Sequence, residues 1–212
     1  MMPGLAANPS IFEYIQLPEE DFEIHWLSWK LPLPNESLQD YAKRMAIDVI
    51  HKNPVLIGVS FGGVLVQEMA HFLALKKLII VSSVKSRKEI PPSMKLAGKT
   101  KAFKILPTGI VNYFGQLEKL PIGDFARRRI QLYKQYMSVD HPRYLDWAIE
   151  NMLCWNPKFQ HQDIVHIHGD EDAVFPLKYI QQPIVVEGGT HIMIINKFRW
   201  FNKHLPDIIH ST

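Results

Sequence analysis

The chain has 212 residues, 47% hydrophobic and 21% charged, which predicts one soluble domain, or one domain with an insertion, that needs no disulfide or metal staple. Its formal charge of +3 is too small to argue for nucleic acid, and the basic clusters at 95–104 and Arg127–Arg129 read as solvated faces. A single cysteine, Cys154, excludes an internal disulfide framework, and the absence of a bilayer-length apolar run or signal-peptide pattern makes the cytoplasm the expected location.

Short apolar runs alternate with amphipathic stretches, which predicts a mostly parallel sheet covered by helices. Phe22–Trp29 alternates as a strand should, and Pro32 and Pro34 end it. A helix is expected over about 38–51, with Leu38, Tyr41, Ala42, Met45, Val49 and Ile50 on one face and Ser37 with Asp40 as a capping box. Pro54–Val59 is a continuous apolar strand of the kind buried on both faces. Helical spacing follows through Leu65, Met69, Phe72 and Leu73, and Lys77–Val84 reads as another buried strand. From about Ser86 to Asn156 no strand is convincing, and prolines, basic residues and aromatic-rich helical pieces dominate. That stretch reads as an inserted helical lid, dividing the chain into core (1–86), lid (87–156) and core (157–212). Cys154 lies in an apolar M-L-C-W context and is expected to be a buried, inert thiol. Strands resume at Ile164–His168 and Pro183–Glu187. A helix over about 194–209 closes the chain, expected to break or bend near Pro206.

Gly58-Val59-Ser60-Phe61-Gly62 is a G-x-S-x-G motif at the junction of a buried strand and an amphipathic helix. A tight turn there lifts the serine clear of the sheet, and glycines on either side remove colliding side chains. The helix N-terminus aims free N–H groups at the serine, so the N–H of Phe61 is a candidate oxyanion donor. A serine hydroxyl needs a hydrogen-bonded base held by a third group. The acidic turn after the strand at 164–168 offers Asp170, Glu171 and Asp172, and it lacks the spaced ligand set of a calcium loop. Gly188-Gly189-Thr190-His191 offers the base, because paired glycines let a loop approach its neighbours closely. His166 and His168 lie within a strand, where structural roles are expected, and His25, His51, His71, His141, His161, His204 and His210 carry no motif.

With those residues in hand, the sequence resembles the α/β-hydrolase superfamily from Pro3 to the last helix. The G-V-S-F-G-G segment resembles the family's nucleophile elbow, H-G-D-E-D-A-V-F-P its acid loop, and G-G-T-H its histidine loop. The resemblance implies Ser60 as nucleophile, Asp172 as acid and His191 as base. Pro3-Gly4-Leu5-Ala6 resembles the family's oxyanion loop with proline in place of the usual histidine, which implies the N–H of Leu5 as a second donor opposite Phe61. In that family a central strand leads into this loop, between the strand at 22–29 and the nucleophile strand. Here only Met1 and Met2 precede it, so N-terminal strands are expected to be missing: either the chain is truncated upstream or the two flanking strands have rearranged.

The expected activity is a serine hydrolase cleaving a carboxylic ester or thioester through an acyl-enzyme on Ser60, with no cofactor or metal. Its expected partner is a small-molecule substrate, with neither nucleic acid nor a membrane span involved, and the oligomeric state is left open. Lid aromatics, including Phe103, Tyr113, Phe114, Trp147 and Trp155, are candidates to line an acyl pocket, Phe114, Trp147 and Trp155 foremost. The alternative is that they pack the lid onto the core. Two further readings keep the fold and change the chemistry: a binding protein without turnover, and a lyase or carbon–carbon hydrolase using the same three residues.

Overall fold

The computed structural model describes residues 1–101, 135–157, 161 and 163–211. Four parallel strands form one sheet in the order β1 (Val55–Val59), β2 (Lys77–Val81), β3 (Ile164–Gly169) and β4 (Ile184–Val186). The near-continuous apolar character of β1 and β2 follows from burial on both faces. Leu56, Leu78 and Ile80 join one hydrophobic cluster, with Tyr41, Met45, Leu65 and Met69. Their neighbours Ile57, Val59, Ile79 and Val81 join the other, with Phe12, Phe201 and Leu205. This is the alternation that a pleated strand imposes between two covering layers.

On the first face lie α1 (Leu38–Ala46) and α2 (Phe61–Met69), whose nine residues are all buried. Ser37 caps α1: its Oγ accepts from the N–H of Asp40 at 3.1 Å and donates to that residue's carboxylate at 2.6 Å. The helix ends at Ala46, five residues short of the expected end. Asp48 and Val49 instead make i→i−3 bonds to Met45 and Ala46, a tightening that unwinds the last turn and leaves Ile47 and Ile50 in solvent. After α2, Ala70–Phe72 continues as one 3₁₀ turn.

Between β2 and β3 the described residues hold α3 (Pro92–Thr100) and α4 (Pro142–Cys154). Arg87 donates to the carbonyls of Leu153 and Trp155 at 3.1 and 3.2 Å, a cation on the negative end of α4. Cys154 is exposed, not buried as its apolar neighbours suggested. Met152, Leu153 and Trp155 take the inward positions at this helix end, which leaves Cys154 on the outer side. Phe103, Tyr113, Phe114 and Arg127–Arg129 lie outside the described residues.

The second face is covered by α5 (Met193–Asn196) and α6 (Phe198–His210). The predicted break near Pro206 falls instead at Lys197, whose φ of −113° interrupts the helical path. Pro206 sits within α6, where only one N–H is lost and the buried stripe of Phe201, Leu205 and Ile209 holds the helix against the sheet. Among the described residues no helix is long and apolar enough to cross a membrane.

The segment predicted as a strand at Phe22–Trp29 forms no regular strand. It does not pair with β1, because Met1–Met2 lies between them. Met1 donates to the His25 carbonyl at 2.6 Å and accepts from the Leu27 N–H at 2.9 Å. Met2 makes a parallel bridge to Gly58, through bonds of 2.8 Å to Ile57 and 3.0 Å from Val59. The flanking segments are thus not paired directly, and among the described residues Met2 bonds that side of β1 at Ile57 and Val59.

Candidate active site

The site starts at the carboxyl end of β1. Ser60 takes φ 53° and ψ −121°, a conformation that costs a non-glycine residue about 1–3 kcal/mol and persists only where its surroundings enforce it. They do: the Ser60 N–H donates to the Val81 carbonyl at 2.9 Å, and its carbonyl accepts from Ser83 Oγ at 2.7 Å and the Gly63 N–H at 2.9 Å. The turn closes only because Gly58 and Gly62 lack side chains. A Cβ on Gly58 would stand 2.7 Å from Gly63 Cα, and one on Gly62 would stand 2.7 Å from the Met2 carbonyl oxygen and closer still to that of Pro3.

Beyond β4, a turn with Gly188 at φ 61° carries His191 back over the strand ends. Its loop is tied to the acid loop by a 2.9 Å bond from the Glu171 N–H to the Gly189 carbonyl. His191 Nε2 lies 3.0 Å from Ser60 Oγ, and His191 Nδ1 lies 2.9 Å from Asp172 Oδ2. The other carboxylate oxygen, Oδ1, accepts from the N–H groups of Val174 and Phe175 at 2.8 and 2.9 Å. Burial pushes the Asp172 carboxyl up, but the hydrogen bond and charge of His191, helped by the Phe175 N–H and His168, outweigh it and hold the group below its ordinary value. Of the three acidic residues in this turn, the geometry selects Asp172. The residues singled out as nucleophile, base and acid are thus brought into one hydrogen-bonded row.

The two histidines of β3, His166 and His168, are buried. His168 Nε2 lies 2.7 Å from the Phe175 carbonyl and 3.6 Å from Asp172 Oδ2, which braces the acid loop from beneath. Burial lowers the pKa of both His166 and His168.

Beside the serine runs the loop at 3–7. A Cβ on Gly4 would contact Ser60 Cβ at 3.4 Å, so the backbone at Gly4 runs close beside the nucleophile. Among the described residues the N–H groups of Leu5 and Phe61 donate to no other protein group. Both residues line a cavity of about 440 Å³ together with Ser60 and His191. Its other walls are apolar, drawn from Met94, Met137 and Met152 on one side and Ile192, Ile194 and Ile195 on the other. The isoleucines follow His191 directly in sequence, a proximity that could have identified them, whereas no motif marks the methionines.

Trp147 and Trp155 do not line this cavity. Trp147 donates to the Glu36 carbonyl at 2.8 Å and packs on Tyr41 at a ring distance of 4.4 Å. Trp155 is buried, and its indole N–H bonds Glu68 Oε1 at 2.7 Å. Each indole thus fastens α4 to the core, where its one polar atom finds an acceptor. Phe114 lies outside the described residues. Metal-capable side chains whose donor atoms lie within 4.8 Å of one another occur at Glu23, His25 and His51, all exposed and none on the cavity wall.

No family model and no curated protein matches this sequence. Solved structures do. A thermophilic esterase from Thermogutta terrifontis, with malate bound, superposes with a TM-score of 0.65 at 14% identity, covering 99% of this chain and 89% of that one. The esterase EaEST from Exiguobacterium antarcticum gives 0.64 at 17% identity, over 99% and 91% of the two chains. The N-acyl homoserine lactonase AidH, in complex with N-butanoyl homoserine, gives 0.62 at 17% identity, over 99% and 87%. Likeness at this identity speaks to architecture alone. Together with the parallel sheet and the strained serine turn between β1 and α2, it establishes that the chain has the α/β-hydrolase fold.

Proposed function

We propose that the protein hydrolyses an uncharged carboxylic ester or thioester of modest size through an acyl-enzyme on Ser60. The observation that carries this reading is the unbroken row from Ser60 Oγ through His191 to Asp172 at the wall of an apolar cavity. His191 takes the Ser60 proton as Oγ bonds to the substrate carbonyl carbon, and the carbonyl π electrons move onto oxygen. The N–H groups of Leu5 and Phe61 stabilise that oxyanion. Its collapse expels the alcohol or thiol, which leaves with the proton from His191, and water repeats the sequence to free the acid.

The segment at 87–156 acts as the lid, supplying Met94, Tyr136, Met137 and Met152 to the cavity. Some 440 Å³ sits toward the small end of the roughly 300–1,000 Å³ typical of small-molecule pockets. With no Asp, Glu, Lys or Arg among the described residues of its wall, it favours a short or medium apolar acyl group over an ionic one. A panel of p-nitrophenyl esters and acyl thioesters of graded chain length, with fluorophosphonate labelling, tests the reading. Wild-type protein is labelled at Ser60 and turns over the apolar esters, while Ser60→Ala loses labelling and about 10⁶ in kcat. Retention of most activity by Ser60→Ala overturns the assignment.

A further inference from the structure

The loop that presents the Leu5 N–H begins only two residues after a sheet position and contains a strained residue, Ala6, at φ 62°. Such a loop needs external fixation if its peptides are to keep one orientation. Two side chains from distant elements supply it. The Trp29 indole N–H donates to the Gly4 carbonyl at 2.8 Å, in a buried bond. The Ala6 N–H donates to the Tyr144 hydroxyl at 3.2 Å, also buried. The Gly4 carbonyl additionally accepts from the Ala7 N–H at 3.1 Å, closing a turn over Leu5 and Ala6.

The carbonyl of Gly4 and the N–H of Leu5 belong to one planar trans peptide, on which they point in opposite directions. A donor clamped onto the carbonyl therefore fixes where the N–H points, and it polarises that N–H toward a stronger donor. Trp29 does more than hold this peptide. Its ring stacks on Phe61 at 5.2 Å with an interplanar angle of 11°, and lies 5.3 Å from the Tyr144 ring. One side chain thus bonds the Gly4–Leu5 peptide through its carbonyl and packs on Phe61, the residue that carries the other N–H.

We infer that Trp29 is a positioning residue for the oxyanion site: its indole N–H orients the Gly4–Leu5 peptide while its ring registers that peptide against Phe61. The inference rests on the serine-hydrolase reading above. Trp29 touches no reacting atom and acts through the Leu5 N–H.

The test separates the N–H from the ring. Trp29→Phe keeps an aromatic ring over Phe61 and removes the donor. Because it also shrinks a buried side chain, benzothienylalanine placed at position 29 by amber suppression serves as the second variant, with sulfur replacing the N–H at almost unchanged shape. Active sites are counted by fluorophosphonate titration, so that unfolded protein does not enter the rate. Removing an oxyanion donor outright costs about 10²–10³ in kcat, and loosening one should cost on the order of tenfold. Both variants are expected to lose about that factor in kcat per labelled site, with KM within about twofold. A trifluoromethyl ketone, whose hemiketal oxygen occupies the oxyanion position as Ser60 Oγ adds to its carbonyl carbon and His191 takes the proton, should weaken by a similar factor. An unchanged kcat per site, or a change confined to KM or melting temperature, overturns the role of Trp29. Wild-type protein that neither labels nor turns over esters overturns the hydrolase reading, and this role with it.

Discussion

Asp172 shows how much can be asked of one side chain. Its carboxylate is shut away from water, yet every partner it has favours the charged form: two backbone N–H groups on Oδ1 and an imidazole on Oδ2. A group held below its ordinary pKa stabilises the fold above the unfolded carboxylate range and loses that contribution only as pH falls through it, so Asp172 is ionised wherever the enzyme would work. Asp172→Asn retains an oxygen for the Val174 and Phe175 N–H groups but turns an NH₂ toward His191 Nδ1. The imidazole must then accept there, which leaves its proton on Nε2, facing Ser60. About 10⁴ in kcat should be lost, with KM little changed, as measured by steady-state hydrolysis of an apolar ester. A loss below tenfold would mean that the imidazole is oriented by something other than this carboxylate. The three residues of the row were legible in the sequence because each sits in a short local pattern: glycines around Ser60, a strand end before Asp172, paired glycines before His191. Trp29 and Tyr144 carried no such mark. Each works by placing one polar atom on a backbone group 25 or 138 residues away, a relation that only the fold creates.

At the scale of elements, the sheet and the elbow were readable because continuous apolar runs and glycine spacing are local consequences of burial. What the pattern could not supply was partnership. Phe22–Trp29 alternates correctly, but a strand exists only where a neighbour completes its ladder, and Met1–Met2 offers bonds to two of its residues. Trp147 and Trp155 were likewise recognisable as aromatics of the 87–156 segment, while the side each presents to the core was not. The contact between α2 and the loop at 2–5 yields a sharper expectation. Gly62→Ala would drive a Cβ into the carbonyls of Met2 and Pro3, and backbone on both sides cannot rotate out of the way. Overpacking of this kind costs about 1–3 kcal/mol, to be read from urea unfolding. Since Pro3 leads directly into the Leu5 peptide, kcat should fall by more than the folded fraction does. A variant with normal stability and normal kcat would show that the loop accommodates the methyl group, and that its tight seat on α2 is not what places the donor.

For the molecule as a whole, the strand that carries the acid loop also carries two imidazoles into the core. Burial, with smaller contributions from neighbouring His168 and Lys85, pushes the His166 pKa from 6.5 down to about 3, and burial lowers His168 as well. The unfolded chain binds protons at these positions in mild acid while the native state refuses them. The His166 contribution to stability is therefore complete above about pH 6.5 and drains away as pH falls toward 3. At pH 5 the native His166 is still neutral some 1.5 pH units below its unfolded pKa, which corresponds to about 2 kcal/mol. Asp172 does not obscure this window, because its contribution is lost only at lower pH, through its ordinary value of 3.8. In urea unfolding at pH 7.5 and pH 5.0 the His166 share of the difference should thus be about 2 kcal/mol, beside an opposite pull from Glu89, whose carboxyl burial pushes up, and a further loss from the Met1 ammonium, which burial pushes down to about 5. Whatever the stability of His166→Leu at pH 7.5, its drop between the two pH values should be smaller by about the His166 share. An unaltered drop would place the acid sensitivity elsewhere and imply that His166 takes up its proton inside the folded sheet.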